Sequence, residues 1–527
     1  MKQKQILKYV TTSWLTALLL LAVLATHTNG QEETGITHPT SANANTSLIT
    51  PGDTSEASIL KEFESLKMRI AELEQEREAA PAGIDPDLRS RLENLESSSE
   101  RASDLLSGLK SSFDGVVHHG HKSPKLNFFG RIHLDYWGFP QVADEIADNI
   151  EGSPVKERWN FRRVRIGIKG DLNDNMLYKY ETEFAKGSEK TEYRDLYIGF
   201  KNVPVFQTVL IGNQKRPYGL DHLNSSRYNI FIERPFIIEA FNQDARRLGI
   251  QSYGISEDLR YNWRFGFFSQ RYTQNSEGWK GTYFPGEIAG RWATTFWWDE
   301  TTNGRGYGHF AVSGSLGDAR NAAKDGIKLY RTRPEARSDK RWLDTGVIDG
   351  FDPEWSSLFG LEYVLNIGAF QFCGEYLHSN VSRSQARDLQ FDGGYFYVAY
   401  MLTGEHMPWD RKTGCLARIK PFENFFIVRD CDGCVRRGKG AWQIAARYSK
   451  ADLTDQDGAI AENIYGGNGH SLTLDVNWYW NPYARMQFNW LVGAIKDRRN
   501  PADPNQPLVG PGNGDYDILG ARWMVDF

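Results

Sequence analysis

Residues Ser471–Ala494 read SLTLDVNWYWNPYARMQFNWLVGA, and the fold is decided there. Leu472, Leu474, Val476 and Trp478 take one parity, and Ser471, Thr473, Asp475 and Asn477 take the other. After Asn481-Pro482 the pattern resumes: Met486, Phe488, Trp490 and Val492 alternate with Arg485, Gln487, Asn489 and Gly493. Strand side chains point to opposite faces with period two. The stretch is therefore a hairpin with one apolar and one polar face. Each arm has about ten residues, the length of a tilted strand that crosses a bilayer. Trp478, Trp480 and Tyr483 crowd its turn, where amphipathic rings meet a membrane–water boundary. A further strand ends the chain, with Leu519, Ala521, Trp523, Val525 and Phe527 against Gly520, Arg522 and Asp526. A soluble antiparallel sheet alternates in the same way. Three such strands in succession, with an aromatic turn and a terminal Phe527, point instead to a barrel whose apolar face meets lipid.

Composition agrees. Aromatic residues make up 13% of the 527 residues, and the formal net charge is −5. Most of the negative charge precedes Lys125, so the rest is near neutral, and no strongly basic region suggests a nucleic-acid partner. A mean hydropathy of −0.54 excludes a helical membrane protein but not a barrel, because half of each strand faces away from lipid.

Upstream, the same alternation recurs. In Leu126–Tyr136, Leu126, Phe128, Ile132, Leu134 and Tyr136 face one way, and Asn127, Arg131, His133 and Asp135 the other. Val164, Ile166 and Ile168 lie opposite Arg163, Arg165 and Lys169; Tyr178, Tyr180 and Phe184 lie opposite Lys179, Glu181 and Glu183. Further strands begin near Trp263, His309, Phe370, Gly394 and Ala441. Residues 125–527 suffice for about sixteen membrane-crossing strands. Inward charges are costly unless water fills the lumen, so a channel is expected.

The N-terminus reads as a secretory signal peptide over 1–30. Lys2, Lys4 and Lys8 precede the apolar run Trp14–Ala25, and Thr28-Asn29-Gly30 precede the cleavage point. A Thr, Ser, Asn and Gly-rich linker covers 31–55. Residues 56–113 predict a coiled-coil stalk. Ile59, Leu66 and Leu73 repeat every seven residues, interleaved with Phe63 and Ile70; Leu88, Leu95, Ala102 and Leu109 do so after a Pro-Gly break. An amphipathic helix packed on another domain gives the same spacing. Residues 114–124 form a second linker. There His118, His119 and His121 lack the Cys or carboxylate partners that a metal site needs, so no metal is expected.

A series of short blocks across 125–527 resembles the phosphate-selective porins of the O/P type. The blocks are Arg162-Arg163-Val164-Arg165; Gly212 to Asp221, closing at Ser225-Ser226; Glu233-Arg234-Pro235; Arg246-Arg247-Leu248-Gly249; Ala289-Gly290-Arg291; Arg331-Thr332-Arg333-Pro334-Glu335; Asp344-Thr345-Gly346; Thr403-Gly404-Glu405; Asn477-Trp478-Tyr479; and the terminal Phe527. The resemblance implies a sixteen-stranded antiparallel barrel, trimeric, with one loop folded inward as the constriction. The stalk lies outside it, and the loop after Glu405 carries a cysteine-bearing insertion.

Oxyanion passage needs fixed cations that replace part of the ion's hydration, and Arg matches a phosphate bidentately. The expected pore-lining residues are Arg131, Arg163, Arg165, Lys169, Arg291, Arg447 and Arg522 by parity. Lys215, Arg216, Arg227 and Arg234 lie in the segment that would form the constriction. The competing reading pairs these cations with Asp135, Glu181, Glu183 and Asp475, giving a stiffened wall and a general porin. Cys431-Asp432-Gly433-Cys434 has half a zinc-site spacing, but a second pair is missing and an exported protein meets an oxidising compartment. Loop disulfides among Cys415, Cys431 and Cys434 are expected instead, with Cys373 on a strand. No catalytic constellation emerges.

The expectation is an all-β outer-membrane porin, with no cofactor and no catalysis. It would pass small anions, phosphate and polyphosphate among them, or small polar solutes through a water-filled barrel. A homotrimer in outer-membrane lipid is expected, its N-terminal segment in the periplasm, where it would tie subunits together or reach the cell wall. The alternatives are a secreted carbohydrate-binding adhesin on a coiled-coil stalk and an exported glycoside hydrolase.

Overall fold

Alternation at period two leaves each strand one face to bury and one to expose, and closure removes the unpaired edges. The computed structural model describes residues 124–527 except 186–190, 244, 271–284, 430–434 and 500–511. The expected signal peptide, both linkers, the stalk and the three histidines lie outside the described residues, apart from residue 124 of the second linker.

Sixteen antiparallel strands close into a barrel. They are β1 (Asn127–Val142), β2 (Arg158–Asp171), β3 (Met176–Glu183), β4 (Glu192–Val203), β5 (Gln207–Lys215), β6 (Arg246–Ile255), β7 (Tyr261–Ser269) and β8 (Gly286–Trp298). Then follow β9 (Gly306–Asp318), β10 (Pro353–Ile367), β11 (Phe370–Arg383), β12 (Leu389–Met401), β13 (Ala441–Asp455), β14 (Ile464–Asn481), β15 (Ala484–Arg498) and β16 (Gly514–Asp526). The seam is β1 against β16, with Asp135 opposite Arg522 and Ile132 opposite Val525. It ends in a backbone pair between Gly130 and Phe527, at 3.0 and 3.2 Å. A Cβ at Gly130 would collide with the Phe527 ring, so glycine is what lets the terminal residue lie across the first strand.

The apolar parity faces outward. Leu472, Leu474, Trp490, Leu519 and Val525 are all exposed, while Gln443, Thr473, Asn477 and Gln487 on the other parity are buried. A soluble sandwich would show the reverse; among the described residues no second layer covers this face, and the adhesin reading loses its basis.

The two ends differ. One carries short turns such as 172–175, 368–369 and 482–483, and both ends of the barrel chain, Asn127 and Phe527, lie there. The other carries the long connections 216–245 and 319–352. One connection breaks the rule: 402–440 joins β12 to β13 at the short-turn end. The wall is also uneven in height. Strands β3 and β5 have 8 and 9 residues, whereas β10 and β14 have 15 and 18.

One irregularity matters for the lumen. Between His133 and Leu134 the register slips, so that His133 pairs with Arg163 and Leu134 with Phe161. Arg162 is the extra residue of a β-bulge, a device that re-aims side chains.

Leu474 lies mid-strand on the outward face, between Ala446 and Trp490. Leu474→Arg is expected to cost about 2–4 kcal/mol of folding stability in phospholipid vesicles. Urea titration of the reconstituted protein checks this.

Candidate functional site: the clasped lumen

The polar inner wall does not stand against open water. Three connections fold inward to meet it: 216–245 and 319–352 from the long-loop end, and the first half of 402–440 from the short-turn end. The expectation of one inward loop is corrected to three such segments. The lumen-facing charges are satisfied mainly by polypeptide, and the three segments narrow the lumen.

The segment 216–245 supplies the apolar filling. Tyr218, Leu220, Ile230, Phe231, Ile232, Phe236, Ile237, Ile238 and Phe241 are all buried. It holds two short helices, α1 (Leu220–Leu223) and α2 (Phe236–Phe241). Helix ends leave backbone groups unpaired, and neither helix has a side-chain N-cap of its own. The rest of the barrel supplies the missing partners. Glu375 of β11 accepts from Leu220 N and Asp221 N, both at 2.7 Å. At the other end of α1, Lys215 Nζ donates to the carbonyls of His222, Leu223 and Asn224, at 2.7–2.9 Å. An acceptor carboxyl group at the start and a donor amino group at the end match the polarity of the helical turn. Glu335 of 319–352 accepts from Phe236 N at 2.9 Å and so caps α2. Glu335 sits at φ 58°, a left-handed backbone that a non-glycine residue adopts only under constraint.

Between the helices, the wall grips the backbone. Arg485 donates to Asn229 O at 2.6 Å, Asn477 to Ile230 O at 3.1 Å and Arg522 to Ile232 O at 2.5 Å. Asn489 accepts from Ile232 N at 2.9 Å. At Glu233 the charges converge. Its carboxylate receives Arg162 at 2.6 and 3.1 Å and Arg522 at 3.0 Å, while Arg522 also grips Asp135 with two bonds of 2.7 Å. Burial alone would raise the Glu233 pKa. Arg162, Arg522 and Arg163 outweigh it and hold the carboxyl well below its ordinary value of 4.5.

Each sequence-derived cation can now be placed. Arg131 pairs with Glu181 at 2.7 Å and donates to Ser226, and Arg165 pairs with Glu183 at 2.6 Å. Arg216 pairs with Glu287 at 2.6 Å, Arg234 with Asp221 at 3.2 Å, Arg291 with Glu362 at 2.7 Å and Arg447 with Glu335 at 2.7 Å. Arg163 lies 3.2 Å from the His133 Nδ1. Lys169 is exposed near the short-turn mouth, with its ammonium 5.8 Å from the Phe129 ring centre. Lys215 is spent on the carbonyls of α1. Asp475 bonds Asn477 and Asn489, so its expected guanidinium partner is replaced by amides. Glu375 and Glu362 escaped the sequence reading, and Arg162 and Glu335 entered it only within the family-like blocks, with no role assigned. The bulge hides Arg162 from a period-two count, and the carboxylates act on partners far away in sequence.

The third segment enters from the short-turn end. Met407, Trp409, Cys415, Leu416 and Ile419 are buried. Trp409 stacks on Tyr307 at 5.3 Å, and Leu416 N donates to the Asn224 side chain at 2.9 Å. Arg418 pairs with Asp526 and lies over the Tyr483 ring at 4.5 Å. Cys415 is buried and free, as is Cys373, which corrects the disulfide expected of Cys415; Cys431 and Cys434 lie outside the described residues.

Among the described residues, small cavities lie toward each end. The short-turn cavity, about 10 Å³, is lined by Arg227, Arg418 and Arg485 with Tyr228, Tyr479 and Tyr483. The long-loop cavity, about 40 Å³, is lined by Arg216, Arg247 and Lys328, one carboxylate (Glu287), and Ser315, Ser356 and Ser357.

A carboxylate held low contributes stability that is present above its unfolded pKa and lost only as pH falls through the folded value. Single-channel current is therefore expected to stay flat from about pH 8 to about pH 5, and to change only in stronger acid, where Glu233 protonates. Glu233→Gln is expected to loosen 216–245, raising open-channel noise and conductance already at neutral pH.

Residues 127–527 match the family described as phosphate-selective porin O and P. An uncharacterized protein from Caulobacter vibrioides is 24% identical over 404 residues, covering 76% of this chain and 73% of its own. Similar solved structures include OmpT of Vibrio cholerae in its trimer form, at 12% identity and TM-score 0.45, over 77% of this chain and 100% of that one. Another is an anion-selective porin from Comamonas acidovorans, at 13% identity and TM-score 0.44, over 77% and 100%. The DcaP channel of Acinetobacter baumannii gives 10% identity and TM-score 0.44, over 77% and 98%. With the family match spanning more than half of its length, the chain is an outer-membrane porin and belongs to the phosphate-selective porin O and P family.

Proposed function

We propose that this porin passes small anions by diffusion, through the two cavities and past the clasped segment between them. The observation that carries this is the charge of the cavity linings. The short-turn cavity presents three guanidinium groups and no lining carboxylate, with Asp526 set behind two of them. The long-loop cavity is lined by three cations and one carboxylate, with Arg216 paired to Glu287 and Lys328 to Asp344. Cations fixed in a narrow, low-dielectric passage raise the local anion concentration and repel cations. The balanced pairs position the loops, and the guanidinium groups of the short-turn cavity select. Phosphate is the anion of choice because a guanidinium matches it bidentately; it would have to compete with Asp526 for Arg418 and with Tyr479 and Asn229 for Arg485.

Reversal potential in a potassium chloride gradient across a planar bilayer tests the reading. Chloride permeability is expected to exceed that of potassium, and Arg418→Gln with Arg485→Gln should lower the ratio several-fold. A cation preference in the unaltered protein would sink the proposal. Low phosphate that leaves chloride current untouched would remove phosphate and leave a general anion porin.

The low stretch of wall around β3 and β5 supports a homotrimer joined there, since a neighbouring barrel covers it more easily than the tall strands β10 and β14. We also propose that the N-terminal segment is a periplasmic stalk reached through a cleaved signal peptide, because β1 starts at the short-turn end. Native mass spectrometry in detergent should give three copies of the cleaved chain; a monomer overturns the trimer.

A further inference from the structure

The second half of 402–440 is not spent in the lumen. It leaves through the short-turn rim as a two-stranded ribbon, with Phe426 opposite Gly438 and Ile427 opposite Arg437. The ribbon is fastened to the outside of the wall. Phe425 N donates to Trp480 O at 2.6 Å, and the Phe425 ring meets Trp478 edge-on at 4.5 Å. Trp442 and Trp478 stack at 5.0 Å, and both indoles donate to Lys439 O, at 3.2 and 2.9 Å. These tryptophans have outward parity and belong to the aromatic girdle of the lipid-facing surface.

Beyond that anchorage, no other described element covers the ribbon's apolar side chains. Phe422 is 67% exposed, Phe426 59%, Ile427 58% and Val435 62%. Arg436, Arg437 and Lys439 are exposed beside them, with Glu423 as an exposed carboxylate nearby. A lone two-stranded ribbon is marginal in water, and Phe426 holds a strained φ of 82° while its ring stays out. Large apolar side chains edged by cations, continuous with a membrane girdle, have the composition of an interfacial anchor. The ribbon stands on β13 and β14, strands of 15 and 18 residues, away from the low stretch of wall.

We propose that this ribbon is a membrane-surface anchor. Its rings would sit at the acyl boundary of the leaflet at the short-turn end, and Arg436, Arg437 and Lys439 would sit on anionic phospholipid head groups. The inference rests on the outer-membrane placement of the barrel. It implies that the same connection that fills the short-turn side of the lumen is tethered to lipid.

A nitroxide at Ile427→Cys reads the anchor directly. The full chain is used with Cys431→Ser and Cys434→Ser, in phosphatidylcholine vesicles containing about 30% phosphatidylglycerol, a negatively charged surface. The expected result is strong collision with oxygen and weak collision with a nickel chelate. Arg436→Glu with Arg437→Glu should reduce the oxygen-to-nickel ratio several-fold. High nickel access overturns the proposal, because the ribbon would then stand in water. Low access to both probes also overturns it, because the ribbon would then be packed on protein, such as a second copy. A ratio unchanged by charge reversal overturns the anionic-lipid part. A label at Leu474→Cys serves as the control: if it reads lipid while Ile427→Cys reads water, the barrel stands and the anchor alone falls.

Discussion

A charge buried without a partner costs more than a folded protein can spare, and Arg522 is where that constraint is met. Its guanidinium takes Asp135 across the barrel seam, Glu233 of the inward segment and the Ile232 carbonyl. Breaking a buried pair of this kind typically costs about 3–5 kcal/mol, because it strands the remaining charge. Wall, seam and lumen filling thus share one side chain. The bulge at Arg162 exists in this setting: it turns a second consecutive arginine inward to balance Glu233.

The inner wall therefore has two populations of cation. One is neutralised locally and sets shape: Arg131 with Glu181, Arg291 with Glu362, Arg447 with Glu335. The other terminates on carbonyls, hydroxyls or cavity space and leaves a field. Arg485 is the clearest case, donating to Tyr479 Oη and Asn229 O while lining the short-turn cavity. Near-neutral composition of the barrel hides this division, since a balanced total says nothing about where the balance is struck.

The barrel itself was legible because lipid imposes a strict rule on every second residue. Leu472, Leu474 and Trp490 could face outward only if the medium outside were apolar. The lumen was less legible for a physical reason. Its partners join residues such as Glu375 and Leu220, or Glu335 and Arg447, that are distant in sequence and share no local pattern. Lys215 shows the cost: its place in the expected constriction segment suggested an anion ligand, yet it closes the last turn of α1. Trp409 and Leu416 carried no signal either, because an inward excursion from the short-turn end departs from the usual asymmetry of such barrels.

The seam pairs the first strand of the barrel with its sixteenth. Without β16, Asp135 loses Arg522, Glu233 keeps Arg162 alone, and Ile232 is held only through its N–H by Asn489. An unclosed sheet would carry an acid stripped of its guanidinium and a loosely held lumenal plug. Circular closure and seating of the interior thus become one event, and the architecture checks its own integrity before the cell must.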